Sequence, residues 1–184
     1  TNRRLYPLQL LSAYHLAFSQ NACNFSVPGA GKTSIVYGAY TYLKNLPDTS
    51  NKKVDKIMII GPLSAFGPWE SEYEECYGVP ATCKRINGAL SSESKKQYFY
   101  GDTAEVILIS YASVVSIKES LKYFLKNNRV MVVLDEAHKI KNTSGGITAS
   151  SIMELASVCT SRVILTGTPA PNGYEDLYNL FHFI

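Results

Sequence analysis

The chain has 184 residues, with 18 Lys and Arg against 15 Asp and Glu, and 46% of it is hydrophobic. That length supports one α/β domain with a real core. The apolar content excludes a disordered chain, and no apolar run is long enough to cross a bilayer. The net charge of +3 neither identifies nor excludes a nucleic-acid partner, because such grooves depend on local charge. No signal-peptide core is present at the start. The four cysteines, Cys23, Cys76, Cys83 and Cys159, form no CxxC pair, so buried free thiols in a reducing, intracellular setting (cytoplasm, nucleoid or nucleus) are expected.

In chain order, the apolar pattern predicts a strand over 22–26 and a helix over 32–46, the helix carrying Ile35, Val36, Ala39, Tyr40 and Leu43 at helical spacing. A polar, turn-rich loop follows over 47–55. Strands are expected over 56–60, 82–86 and 106–110, then a helix over 114–125 with Val114, Ile117, Leu121 and Leu125 on one side. A strand over 130–134, a helix over 147–158, a strand over 162–166 and a helix over 173–183 complete the series. Runs such as Ile57-Met58-Ile59-Ile60 and Val130-Met131-Val132-Val133-Leu134 are apolar on both faces. That suits the central strands of a parallel sheet covered by helices on both sides, hence an α/β, doubly wound fold. Tyr37, Tyr40 and Tyr42 share a helix at differing angles, which favours packing over base stacking, and Trp69 reads as a helix-packing core residue. The pairs Lys52-Lys53 and Lys95-Lys96 read as solvated faces, and His15 and His182 as structural or surface residues.

Two motifs carry chemistry. Ser26-Val27-Pro28-Gly29-Ala30-Gly31-Lys32-Thr33 follows a strand and opens a helix, the arrangement of a phosphate-cradling loop in which Ser26 replaces the usual first glycine. Residues Pro28, Gly29, Ala30, Gly31, Lys32, Thr33 and Ser34 are assigned to nucleotide binding: the glycines let the backbone approach the phosphates, Lys32 neutralises the β- and γ-phosphates, and Thr33 ligates Mg²⁺. The second motif is Asp135-Glu136-Ala137-His138 at the end of a buried strand. Two adjacent carboxylates in a dry cleft repel unless a cation intervenes. Asp135 is therefore assigned to Mg²⁺ and Glu136 to the role of general base or water-positioner. His138 is expected to connect the ATP site to a neighbouring loop. Thr166-Gly167-Thr168-Pro169-Ala170-Pro171-Asn172 is a candidate for that loop, with Thr166 and Thr168 relaying nucleotide state; taken alone it equally reads as a helix N-terminal turn.

With these motifs in order, the chain resembles the first RecA-like lobe of superfamily-two helicases and translocases, most closely the Swi/Snf-type ATPases. Asp135-Glu136-Ala137-His138-Lys139-Ile140-Lys141-Asn142 is similar to that group's DEAH-[RK]-[IL]-K-N segment, and the 165–172 segment, followed by Glu175, Leu177 and Leu180, to its LTGTP-x-x-N…EL…L segment. Leu5-Tyr6-Pro7-Leu8-Gln9 resembles its adenine-reading motif, with Tyr6 and Leu8 in place of the arginine and the aromatic; the resemblance implies that Gln9 reads adenine. Gly61-Pro62-Leu63-Ser64 with Trp69-Glu70, and Ile109-Ser110-Tyr111, resemble its strand-contact motifs. They imply that Pro62, Leu63, Ser64, Ser110 and Tyr111 touch a sugar-phosphate backbone, contacts that position without reading sequence. Ser26-Val27-Pro28 departs from the acidic segment often seen before the loop in eukaryotic remodellers.

The resemblance implies a RecA-like P-loop domain over 1–184 that binds ATP and Mg²⁺. It further implies a translocase on duplex DNA (RNA is the alternative track), partnered by a second RecA-like lobe outside this chain and by no membrane. Other readings are a strand-separating RNA or DNA helicase, the motor subunit of a restriction or defence system, and a nucleotide-gated interaction module without nucleic acid.

Overall fold

The computed structural model describes residues 2–101, 104–138, 146–170 and 175–184, with the side chains of 175, 176 and 179 excepted. The element order is α1 (Pro7–Ser19), β1 (Asn21–Asn24), α2 (Lys32–Lys44), β2 (Lys56–Gly61), a 3₁₀ turn (Leu63–Ala65), α3 (Phe66–Tyr77), β3 (Cys83–Ile86), α4 (Ser92–Tyr98), β4 (Val106–Ser110), α5 (Tyr111–Ser116), α6 (Lys118–Asn127), β5 (Val130–Asp135), α7 (Ile147–Ala156), β6 (Ser161–Leu165) and α8 (Glu175–Phe183). The six strands form one sheet in the order β1-β6-β5-β2-β4-β3, and every pairing is parallel.

The doubly apolar strands behave as expected of central strands. From β2, Ile57 and Ile59 face one core with Val106, Leu108, Met131 and Val133, covered by Leu16, Ile35, Tyr37, Tyr40 and Trp69 from α1, α2 and α3. Met58 and Ile60 face the opposite core with Ile107, Ile109, Val132 and Leu134, covered by Val114, Leu121, Phe124, Ile152, Leu155 and Phe183 from α5 to α8. Period-two alternation thus distributes one apolar run between two helical layers. Parallel pairing puts all six carboxyl ends on one edge of the sheet, and that edge is where α/β sheets gather ligand-binding loops.

Several expectations are corrected. The helix anticipated over 114–125 is two helices, α5 and α6, divided at Ile117, where φ is −130°. The Ser116 hydroxyl donates to the Ser113 carbonyl at 2.9 Å, a local bond that competes with continuation of the helix. Helices α1, α3 and α4 were not anticipated. Lys95 is buried rather than solvated. All four cysteines are free, but only Cys76 is fully buried. Burial raises the thiol pKa of Cys23 and Cys76 to about 11 and that of Cys83 and Cys159 to about 12, which disfavours the reactive thiolate. The Lys139-Ile140-Lys141-Asn142 and Pro171-Asn172 portions of the motifs lie outside the described residues. Among the described residues no helix is long and apolar enough to cross a membrane.

Candidate active site

The loop between β1 and α2 turns sharply because Gly29 and Gly31 have positive φ, 81° and 77°. Such values favour glycine. Gly31 has a second reason to lack a side chain: a Cβ there would collide with the Gln9 amide nitrogen. Gln9 spans two elements, accepting from the Tyr6 backbone N–H at 3.0 Å and donating to the Ala30 carbonyl at 3.0 Å. The start of α1 is thereby tied to the loop. Tyr6 and Leu8 beside it are exposed. Lys32 folds back over the loop, donating to the carbonyls of Ser26 at 2.9 Å and Val27 at 3.2 Å.

Strand β5 delivers the acidic pair. Asp135 pairs with Leu165 of β6 as the last residue of the strand. The chain then turns through Glu136, whose φ of 52° is left-handed. For a non-glycine residue that conformation is costly and clusters at functional sites. Asp135 is largely withdrawn from solvent, and burial raises its pKa above the ordinary carboxylate value; the charge of Glu136 acts in the same direction. The Trp69 indole N–H, the Glu136 backbone N–H and the Lys32 ammonium oppose the rise.

The second threonine loop adjoins both motifs. His138 Nδ1 lies 3.1 Å from Thr166 Oγ1 and 3.2 Å from Glu136 Oε2. The Thr168 backbone N–H donates to Thr166 Oγ1 at 3.2 Å. One ring nitrogen cannot bond both neighbours at full strength, so His138 sits where the Glu136 and Thr166 arrangements compete. Gly167 packs against the phosphate loop: a Cβ there would be 3.0 Å from Pro28 Cδ.

These parts line one cleft of about 630 Å³, within the range of small-ligand sites. Its walls include Pro28, Gly29, Gly31, Lys32, Thr33, Asp135, Glu136, His138, Gly167 and Thr168, and Pro62 and Ser64 line it as well. Gln9, Ala30 and Ser34 are not in the lining. The Ser34 hydroxyl points away from the cleft and donates to Glu72 of α3, so its side chain is not a nucleotide contact. The donor set fits a Mg²⁺-nucleotide. Lys32 and the glycine loop line the space where phosphates would sit, and the Thr33 hydroxyl, the desolvated Asp135 carboxylate and the more exposed Glu136 line the same cleft, as suits an ion held by few protein oxygens and by phosphate.

The five residues expected on a nucleic-acid strand divide. Pro62, Leu63 and Ser64 form an accessible turn, Leu63 being 57% exposed. Ser110 instead caps α5, its hydroxyl accepting from the Ser113 N–H and donating to Ser113 Oγ at 2.9 Å. Tyr111 is buried and its hydroxyl donates to the Asp135 carbonyl at 2.7 Å, so that hydroxyl is not available to a strand. Trp69 is a core residue as expected, 1% exposed, yet it also reaches the site: its indole N–H donates to Asp135 Oδ2 at 2.8 Å. A buried indole needs an acceptor, but only the fold identifies which one.

Comparisons with known proteins extend the picture. A family model described as SNF2-related domain matches residues 25–184. A protein from Drosophila mojavensis named DNA repair and recombination protein RAD54-like is 29% identical over 164 residues, covering 85% of this chain and 20% of the relative. An uncharacterized ATP-dependent helicase from Mycoplasma pneumoniae is 30% identical over 158 residues, covering 85% of this chain and 14% of the relative. The chain thus spans a fifth or less of the length of these two relatives. The Sulfolobus solfataricus SWI2/SNF2 ATPase core domain superposes with a TM-score of 0.69 at 23% identity, over 98% of this chain and 35% of that one, and shares the fold.

Proposed function

Since the chain belongs to the SNF2-related domain family, we propose that it is the ATP-binding lobe of a motor that translocates on nucleic acid, with duplex DNA as the favoured track. The observation that carries this reading is the convergence of Lys32, Thr33, Asp135, Glu136 and His138 on one cleft. The DNA-repair name of the Drosophila relative supports DNA over RNA. The helicase name of the Mycoplasma relative supports strand separation as a second reading.

In this proposal the loop from Gly29 to Thr33 cradles the triphosphate, and Lys32 exchanges its loop carbonyls for phosphate oxygens. Thr33 and Asp135 hold Mg²⁺. When bound, the ion supplies positive charge to the phosphates. Glu136 orients the attacking water and accepts its proton. His138, Thr166 and Thr168 respond to the presence of the γ-phosphate, because His138 already shares its nitrogen between Glu136 and Thr166. Gln9 reads adenine while anchored to Ala30, and the 62–64 turn grips the strand backbone.

Catalysis at full rate is assigned to a pair of lobes. An arginine supplied from a second lobe is worth roughly 10³–10⁵ in rate. The 184-residue chain alone is therefore expected to bind ATP weakly and hydrolyse it very slowly; robust steady-state turnover by it overturns the two-lobe assignment. The track is tested by ATPase stimulation in a longer protein containing this lobe: duplex DNA is expected to stimulate more than single-stranded RNA, and the reverse order favours the helicase reading. An intracellular location alongside DNA follows from the same proposal.

A further inference from the structure

Every polar acceptor of Asp135 has a protein donor. Oδ1 accepts from the Glu136 backbone N–H at 2.9 Å, Oδ2 from the Trp69 indole at 2.8 Å, and the backbone carbonyl from the Tyr111 hydroxyl at 2.7 Å. The indole is itself tightly held. Its ring meets Tyr37 edge-on with centroids 5.3 Å apart, and the Tyr37 hydroxyl donates to the Trp69 carbonyl at 2.8 Å. Tyr37 belongs to α2, the helix that begins at Lys32, and Trp69 lies in the first turn of α3. The two helices therefore fix the orientation of the ring.

Core packing at this position requires an aromatic ring but no nitrogen. An indole N–H directed at a carboxylate on the wall of the nucleotide cleft does something packing does not. It selects one orientation of that carboxylate. A carboxylate oxygen has two lone pairs, so Oδ2 can accept from Trp69 and still face a second partner in the cleft.

We propose that Trp69 is a positioning residue for Mg²⁺: its indole N–H holds the Asp135 carboxylate in the orientation that the Mg²⁺-nucleotide requires. The proposal rests on the ATP-site reading given above. Tyr111 serves the backbone of the same residue, the Glu136 N–H holds Oδ1, and Trp69 is the side chain that holds Oδ2.

The test compares the 184-residue chain with its Trp69→Phe variant, which keeps an aromatic ring and removes the N–H. A fluorescent ADP analogue is titrated with Mg²⁺ and with EDTA. The expected result is an affinity in EDTA within about twofold of wild type, with the Mg²⁺ concentration needed to strengthen binding raised about tenfold, in the range seen when a partner of a metal ligand is removed. A residue that only packs would lower thermal stability and weaken both affinities alike, leaving the Mg²⁺ requirement unchanged; that result overturns the proposal.

A second measurement holds even if the variant does not fold. Trp69 is the sole tryptophan of the chain, so wild-type emission reports directly on the bonded indole. Adding Mg²⁺ to the complex with unlabelled ADP is expected to shift that emission, and a spectrum insensitive to Mg²⁺ overturns the proposal. The two ideas fail differently. A wild-type chain that binds no nucleotide overturns both, whereas Mg²⁺-strengthened binding that is identical in wild type and Trp69→Phe overturns only the role of Trp69.

Discussion

The two ends of β5 present opposite solutions to the problem of placing charge. Just before the strand, Arg129 donates to Asp55 at 2.8 Å and to Asp48 at 3.2 Å, and Lys53 joins Asp48 at 2.8 Å. These groups pair opposite charges, two cations with two carboxylates, and all but Lys53 are well exposed. At the other end Asp135 and Glu136 stand side by side, the first desolvated and the second in a left-handed turn. Lys32, the cation that faces them across the cleft, is bonded to its own loop. One end neutralises its charges near solvent at small energetic consequence. The other holds unfavourable electrostatics that a Mg²⁺-nucleotide would relieve, which is the signature of a site rather than of a stabilising network.

Substitutions at each end sharpen that contrast. The largest effect is expected at Glu136. In a motor containing this lobe, Glu136→Gln should retain ATP binding and lower kcat by about 10²–10⁴, the usual worth of a general base. Single-turnover hydrolysis alongside nucleotide titration measures both, and unchanged turnover removes Glu136 from that role. Next is Lys32→Ala, for which nucleotide affinity should fall roughly 10–100-fold, the worth of a charge-assisted hydrogen bond, with circular dichroism unchanged.

Gly167→Ala should have a smaller effect. The added methyl would sit 3.0 Å from Pro28 Cδ, so the phosphate loop must shift. Overpacking of this kind typically costs about 1–3 kcal/mol, and thermal melting should show that loss together with a several-fold weaker nucleotide affinity. If melting and affinity are both unchanged, the two loops are not in rigid contact.

The smallest effect belongs to the opposite end of the strand. Arg129→Ala should leave nucleotide affinity untouched and lower Tm by no more than about 2 °C. The pH dependence has a definite sign. Hydrogen bonds from Lys53 and then Arg129 hold the Asp48 pKa below the ordinary carboxylate value of 3.8. The stabilisation from Asp48 is therefore complete above that value and is lost as pH falls through the lowered pKa. The difference in Tm between wild type and Arg129→Ala should accordingly be constant near neutrality and shrink below about pH 4. A difference that grows on acidification contradicts this account of Asp48.

How much of this was legible beforehand depends on what each segment encodes locally. The central strands were readable because apolar runs such as 57–60 have no helical period and are bounded by turn residues, whereas β1 and β3, at the two edges of the sheet, carry polar residues. Helix α2 was readable from its periodicity and from the glycines before it. Helix α1 was not, because Pro7–Ser19 carries apolar residues all round: Leu16 and Ala17 are buried while Leu8, Leu11 and Phe18 are exposed. Helix α3 hides behind Gly67-Pro68 and five acidic or polar residues, although Phe66, Trp69, Tyr73 and Cys76 make a buried stripe at helical spacing. The break at Ile117 was missed because the apolar spacing continues through it.

Consecutive residues carry the alternating strand–helix order and the residue pattern of the two principal motifs, because glycine conformation, a lysine beside a hydroxyl and a strand-end carboxylate pair are local properties. Tertiary structure alone decided which distant groups meet them. Trp69 reaches Asp135 across 66 residues, His138 lies beside Thr166 across 28, and Tyr111 turns inward to the Asp135 carbonyl instead of outward to a strand. The physical reason is that a hydrogen bond needs its partners within about 3 Å and in line. In a parallel sheet, neighbours in space come from strands far apart in the chain, so strand order and helix packing set those distances.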